Sequence, residues 1–253
     1  MTIHIRCFFL ILQILIVRGS NIKGQDIPAQ FGVQLSPVIS WLQSEDNLIN
    51  SNGIRLGVKF GGTIEFPVRD YFSVTTGFGF GLSHGGKLLH KIGGNLWPKS
   101  DLSDPGLNSG SKPLPDDTNL AYSLTVMEIP VGAKFILERD VKKYFVEFPV
   151  FTLGFITRSK GEIDGGAIRS ANEKIGKDVN LFNISWGMGF GIEKSMLDGY
   201  TLQGGLYWQR GLTDVTGNDG IKAKSNSSGS YDFTQEDSKG VVSALVFKFG
   251  IVF

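Results

Sequence analysis

Apolar and polar residues alternate with a period of two through much of this chain. In residues 71–83, Phe72, Val74, Thr76, Phe78, Phe80 and Leu82 alternate with Ser73, Thr75, Gly77, Gly79, Gly81 and Ser83. In residues 181–194, Phe182, Ile184, Trp186, Met188, Phe190 and Ile192 alternate with Asn183, Ser185, Gly187, Gly189, Gly191 and Glu193. An extended strand sends successive side chains to opposite faces. Each stretch therefore predicts a strand with one apolar face and one face of small residues. The last stretch, 241–253, does the same: Leu245, Phe247, Phe249, Ile251 and Phe253 oppose Ala244, Val246, Lys248, Gly250 and Val252.

Five further strands complete the pattern. Residues 31–42 align Phe31, Val33, Leu35, Ile39 and Trp41, with a bulge or bend expected at Pro37. Residues 53–66 set Ile54, Leu56, Val58, Phe60, Ile64 and Phe66 against Arg55, Lys59, Thr63 and Glu65. In residues 118–137, Leu120, Tyr122, Leu124 and Val126 are out of phase with Met127, Ile129, Val131 and Phe135, which predicts a β-bulge near residue 126. Residues 144–157, interrupted by Pro149, have no single phase and their faces stay unassigned. Residues 199–212 oppose Leu202, Leu206 and Trp208 to Gln203, Gly205, Tyr207 and Gln209.

The connections alternate in length. Segments 67–70, 138–143 and 195–198 read as short turns; 43–52, 84–117, 158–180 and 213–239 read as longer polar loops. That parity predicts an all-β fold: an eight-stranded antiparallel transmembrane β-barrel with short periplasmic turns and long external loops. A soluble barrel would carry Lys, Glu and Asp on its outer face. Here the non-apolar face is mostly Gly, Ser and Thr, which suit a narrow lumen. The apolar face then meets lipid, with Trp41, Trp186, Trp208, Tyr71 and Tyr200 as candidates for interfacial belts. An eight-stranded lumen filled by side chains also argues against a porin.

Charge and composition sharpen this picture. Charged residues are 19% of the 253, Gly numbers 34, and the net charge is +1, so nothing suggests nucleic acid as a partner. Residues 7–17 form an apolar run of 11, too short for a helical span and suited to a signal peptide. The domain reading is a signal peptide over 1–24, cleaved between residues 19 and 25, followed by the barrel over 25–253. Cys7, the single cysteine, falls before cleavage, so no disulfide framework is expected.

Candidate chemistry is sparse. Arg55, Lys59, Glu65, Glu128, Lys134, Glu193 and Lys248 fall on the non-apolar face and are expected to pair across the lumen as a structural network. The G-F-G-F-G and G-M-G-F-G runs at 77–81 and 187–191 lack the spacing and following helix of a dinucleotide loop. His84 and His90 have no acidic or cysteine neighbours at ligand spacing, so no metal is expected, nor any cofactor or catalytic residue.

The stretch Met127-Glu128-Ile129-Pro130-Val131-Gly132-Ala133-Lys134-Phe135 resembles the Leu-Glu-Ile-Pro-Leu-x-x-Lys-Tyr stretch of the PorT-like outer membrane β-barrel family of Bacteroidetes. The opening Phe31-Gly32-Val33-Gln34-Leu35-Ser36-Pro37 and the terminal Phe253 agree with that family. The resemblance implies insertion by the barrel assembly machinery, with Phe253 as the assembly signal, and outer membrane lipids as surroundings. It also implies envelope or secretion-complex proteins as partners, because the family's namesake supports type IX secretion. The functional expectation is a non-enzymatic barrel with a structural or partner-binding role. Alternatives are a glycan or lipid binder using Trp97 and Tyr122 near the loop base, and an outer membrane enzyme.

Overall fold

The structure is a computed structural model that describes residues 29–108, 113–139, 142–196, 199–225 and 231–253. The expected signal segment, with His4 and Cys7, lies outside the described residues, as do parts of the turns at 138–143 and 195–198. Among the described residues thirteen strands are present: β1 (Gln30–Gln43), β2 (Ile49–Ser51), β3 (Ile54–Arg69), β4 (Phe72–His90), β5 (Gly94–Asn95), β6 (Thr118–Arg139), β7 (Lys142–Gly165), β8 (Ile168–Lys174), β9 (Phe182–Ser195), β10 (Thr201–Gly211), β11 (Ile221–Ser225), β12 (Tyr231–Gln235) and β13 (Val241–Val252). A helical turn, α1 (Pro105–Asn108), joins them.

Eight of these strands close a barrel in the order β1-β3-β4-β6-β7-β9-β10-β13, all antiparallel. Closure is made by β13 on β1, running from Gly32↔Val252 to Gln43↔Val241. Every strand edge of the wall is thereby paired, as a lipid-immersed sheet requires.

The wall has two storeys with opposite polarity. In the lower storey the apolar face points out: Phe60, Phe78, Ile129, Phe151, Phe190 and Phe249 are all exposed. Leaving such side chains in water forfeits about 1.5–3 kcal/mol each, so this band is built for hydrocarbon. Tyr71 and Tyr200 sit at the short-turn end of the band. Trp41, Trp186 and Trp208 sit towards the long-connection end, where Trp186 and Trp208 meet edge to face at 5.3 Å.

Above the band the phase reverses. In β6 the register slips between Thr125 and Val126, so Leu120, Tyr122, Leu124 and Val126 turn inward while Met127 and Ile129 point out. The bulge expected near residue 126 is there. In β4 the slip lies between Gly81 and His84, with Ser83 at φ 57. Strand β4 therefore does not stop at Ser83. It continues to His90, with Leu88 inward and Lys87 outward. Strand β7 reverses twice, at 147–150 around Pro149 and again near Thr157. Two reversals in 24 residues explain why its sequence shows no single phase.

The long connections are folded rather than merely polar. Segment 158–180 is the upper end of β7, hairpinned to β8, followed by a 3-10 turn over Gly176–Asp178. Segment 213–239 carries the β11–β12 hairpin, and β11 also pairs with β5 from segment 84–117. Strand β2, from segment 43–52, extends the edge of β4.

Candidate functional site

Two regions inside the barrel hold its chemistry: the charged lumen of the lower storey, and the cap across its long-connection end.

In the lumen, Lys134 is fully buried and lies between two carboxylates. Its Nζ contacts Glu65 Oε2 at 2.5 Å and also Glu193 Oε1, and Gln203 Nε2 donates to Glu193 at 3.0 Å. The ammonium stands 5.0 Å from the centroid of the Phe145 ring. A second node joins Lys59 to Glu128 at 2.8 Å and to Gln209 Oε1 at 2.8 Å. A third sets Lys248 4.0 Å from Glu147 and 5.1 Å from the Tyr207 ring. Gly189 and Gly191 make room for these rings. A Cβ at Gly189 would stand 2.2 Å from Tyr207, and one at Gly191 2.4 Å from Phe145.

Six of the seven charges expected in the lumen thus fall into three nodes. Arg55 is apart from them: it pairs with Glu162 of β7 at 2.8 Å, in a half-exposed position near the rim. Glu147, Tyr207 and Phe145 complete the nodes. Glu147 and Phe145 escape a periodicity reading because the slip at 147–150 breaks the phase of β7. Three lysines and four glutamates share this space. Burial of unpaired charge costs several kcal/mol, so the pairing is what permits them there. The cavity left between them is about 110 Å³, room for a few waters.

The cap is a hydrophobic core. Leu42, Leu88, Trp97, Leu120, Tyr122, Ile175, Val215 and Val242 are all buried in one cluster, drawn from the walls and from three long connections. Trp97 donates its indole N–H to Tyr122 Oη at 3.1 Å, and the two rings meet edge to face at 5.4 Å. A ligand cannot reach this pair: Trp97 is 2% and Tyr122 3% exposed. The expectation that they line a glycan or lipid site is therefore corrected. They are core residues, and their enclosure follows from the phase reversal of β6.

Polar links tie the cap's parts together. Lys222 of β11 pairs with Asp46 of the β1–β2 connection, and Ser100 donates to Asp178. Burial alone would raise the Asp46 carboxyl; Lys222 and the Leu48 N–H outweigh it and hold it below its ordinary value. Burial raises Asp178 against its hydrogen bonds from Ser100 and Lys99. Glu236, buried beside Ser238, is pushed up to about 7 by desolvation. His84 and His90 are both buried, and no group of three or more His, Cys, Asp or Glu among the described residues could hold a metal.

A closed antiparallel barrel with an outward apolar band and a paired, charged lumen defines a membrane-spanning β-barrel protein. The chain belongs to the outer membrane protein beta-barrel domain family, whose model matches residues 21–217, and its place is the outer membrane. No curated protein matches it. Among solved structures it is similar to Neisserial surface protein A, at 11% identity over 89% of this chain and 97% of that one, with a TM-score of 0.38. It is also similar to a major outer membrane protein from Thermus thermophilus, at 13% identity, 89% and 98% coverage, and a TM-score of 0.37. The attachment invasion locus protein Ail of Yersinia pestis gives 8% identity, 89% and 99% coverage, and a TM-score of 0.36.

Proposed function

We propose that this protein is a non-enzymatic outer membrane anchor that presents its folded long-connection end, outside the cell, to a partner in the envelope. The observation that carries this reading is the closure of the lumen. Paired charges fill the lower storey and a hydrophobic core caps the upper one, so the interior is spent on packing rather than on passage or catalysis. A signal peptide over 1–24, a barrel domain over 25–253, and insertion by the barrel assembly machinery through Phe253 belong to the same reading. The resemblance of Glu128-Ile129-Pro130 and its neighbours to the PorT-like family favours partners in protein export.

A clean deletion strain, its parent and a complemented strain test this through their secreted and outer membrane proteomes. Export-dependent proteins should fall in the medium and accumulate in the periplasm. Unchanged export with an intact outer membrane would remove the secretion role.

A further inference from the structure

The outer wall of the upper storey carries a polar groove of about 450 Å³ that the closed lumen does not involve. Its row is set by register: Lys87 of β4, Ala121 of β6 and Glu162 of β7 lie side by side. Beyond them Asp164 stands opposite Arg169 of β8, and Asn119 stands opposite Asp164. On β6, Ala121 is six residues from the outward-facing Met127, roughly 20 Å along an extended strand. The groove therefore stands beyond the lipid-facing band, on the same strands, at the level of headgroups.

Its side chains are partly satisfied and partly free. Arg55 neutralises Glu162 at 2.8 Å, and Arg169 Nε neutralises Asp164 at 3.0 Å. Asn52 Nδ2 donates to Asn119 Oδ1 at 2.5 Å, leaving the other amide groups of that pair for hydroxyls. Lys87 Nζ has no acidic partner among the described residues and is exposed. Lys87 and Arg169 thus line the groove with Glu162 and Asp164, and Arg55, which reaches Glu162 from beside the groove, leaves Lys87 as the surplus cation over a floor that includes Ala121 and Ala171. Fixed planar amides and guanidinium groups suit vicinal hydroxyls, the apolar floor suits the C–H face of a pyranose, and the surplus cation suits one negative charge.

We propose that this groove binds an anionic saccharide, a sugar bearing phosphate or carboxylate, with Lys87 and Arg169 taking the charge. Its place beside the lipid-facing wall assigns the saccharide to the headgroup of an outer-leaflet glycolipid. The inference goes beyond the anchor reading, which stands or falls on export and not on this groove.

The test uses the full mature chain in detergent micelles. The probe is the deacylated, phosphorylated core oligosaccharide of lipopolysaccharide, measured beside the same oligosaccharide after phosphatase treatment. Lys87→Gln and Arg169→Gln should each weaken binding of the phosphorylated probe about tenfold, the loss of one charge-assisted contact. Arg210→Gln, on a wall strand outside the groove, should leave it unchanged, and added salt should weaken binding by the wild type. Near-ultraviolet circular dichroism checks that each variant is folded. Tighter binding of intact lipopolysaccharide in vesicles identifies the source as the membrane glycolipid; equal binding of the deacylated form identifies a soluble saccharide of the same chemistry. Equal binding of the phosphatase-treated probe, or equal loss in Arg210→Gln and Lys87→Gln, overturns the proposal.

Discussion

Lys134 shows how strongly a single side chain constrains this lumen. It holds Glu65 and Glu193 together in the buried lumen, so Lys134→Met leaves two carboxylates facing each other. Breaking a buried pair in this way costs about 3–5 kcal/mol. Urea titration of the barrel in micelles should show that loss, and adding Glu65→Gln and Glu193→Gln to the variant should recover most of it. A failure of the triple variant to recover would mean that Lys134 acts through its contact with Phe145 rather than through charge. Glu236 sets a different constraint, because it lies in the cap and its carboxyl is raised from 4.5 to about 7 by burial. The folded cap holds that proton more tightly than the unfolded chain does. Its contribution is therefore complete below pH 4.5 and is lost as pH rises through 7. Hydrogen exchange of β11 and β12 should quicken across that window, and Glu236→Gln should flatten the dependence.

At the scale of elements, the bulges decide what each strand can tolerate. In β6, Ile129 faces outward below the slip and Leu124 faces inward above it. Ile129→Arg places a charge against hydrocarbon and should cost about 2–4 kcal/mol if the site is near the bilayer midplane. It should slow or block folding into vesicles while leaving the cap's own contacts intact. Trp97→Ala acts in the other storey. It empties a core position that Tyr122 and Gly161 enclose, and should cost the cap about 3–5 kcal/mol. Limited proteolysis should then cut segment 91–117 at low protease concentration, with the eight-stranded wall still resistant. Equal resistance in Trp97→Ala and the wild type would show that the cap does not depend on this ring.

The whole molecule is a wall turned inside out halfway up. Below the slips it is apolar outside and charged inside; above them it is polar outside and apolar inside. The change follows the solvent, because lipid surrounds one storey and water the other. A barrel plugged at both levels should pass no steady current across a planar bilayer. A reproducible open level of the purified protein would contradict the closed lumen and would call for a moving cap.

The sequence by itself determined the wall: its eight strands, its antiparallel order, its apolar outer band and the bulge in β6. These follow from a period of two and from the lengths of the connections, both local properties of the chain. The cap was not legible. Leu96, Trp97, Leu102, Leu107, Leu114, Ile175 and Val215 are scattered through polar segments, without a period, and become a core only when segments far apart in the chain meet above the wall. Glu147 was hidden for a related reason: slips in β7 erase the phase that would mark it as inward. Arg55 had the right phase in β3, yet its partner, Glu162, lies on a strand end that reads as loop. Periodicity fixes which way a side chain points only while the register is unbroken. Where the solvent changes, the register slips, and tertiary packing alone decides which residues are inside.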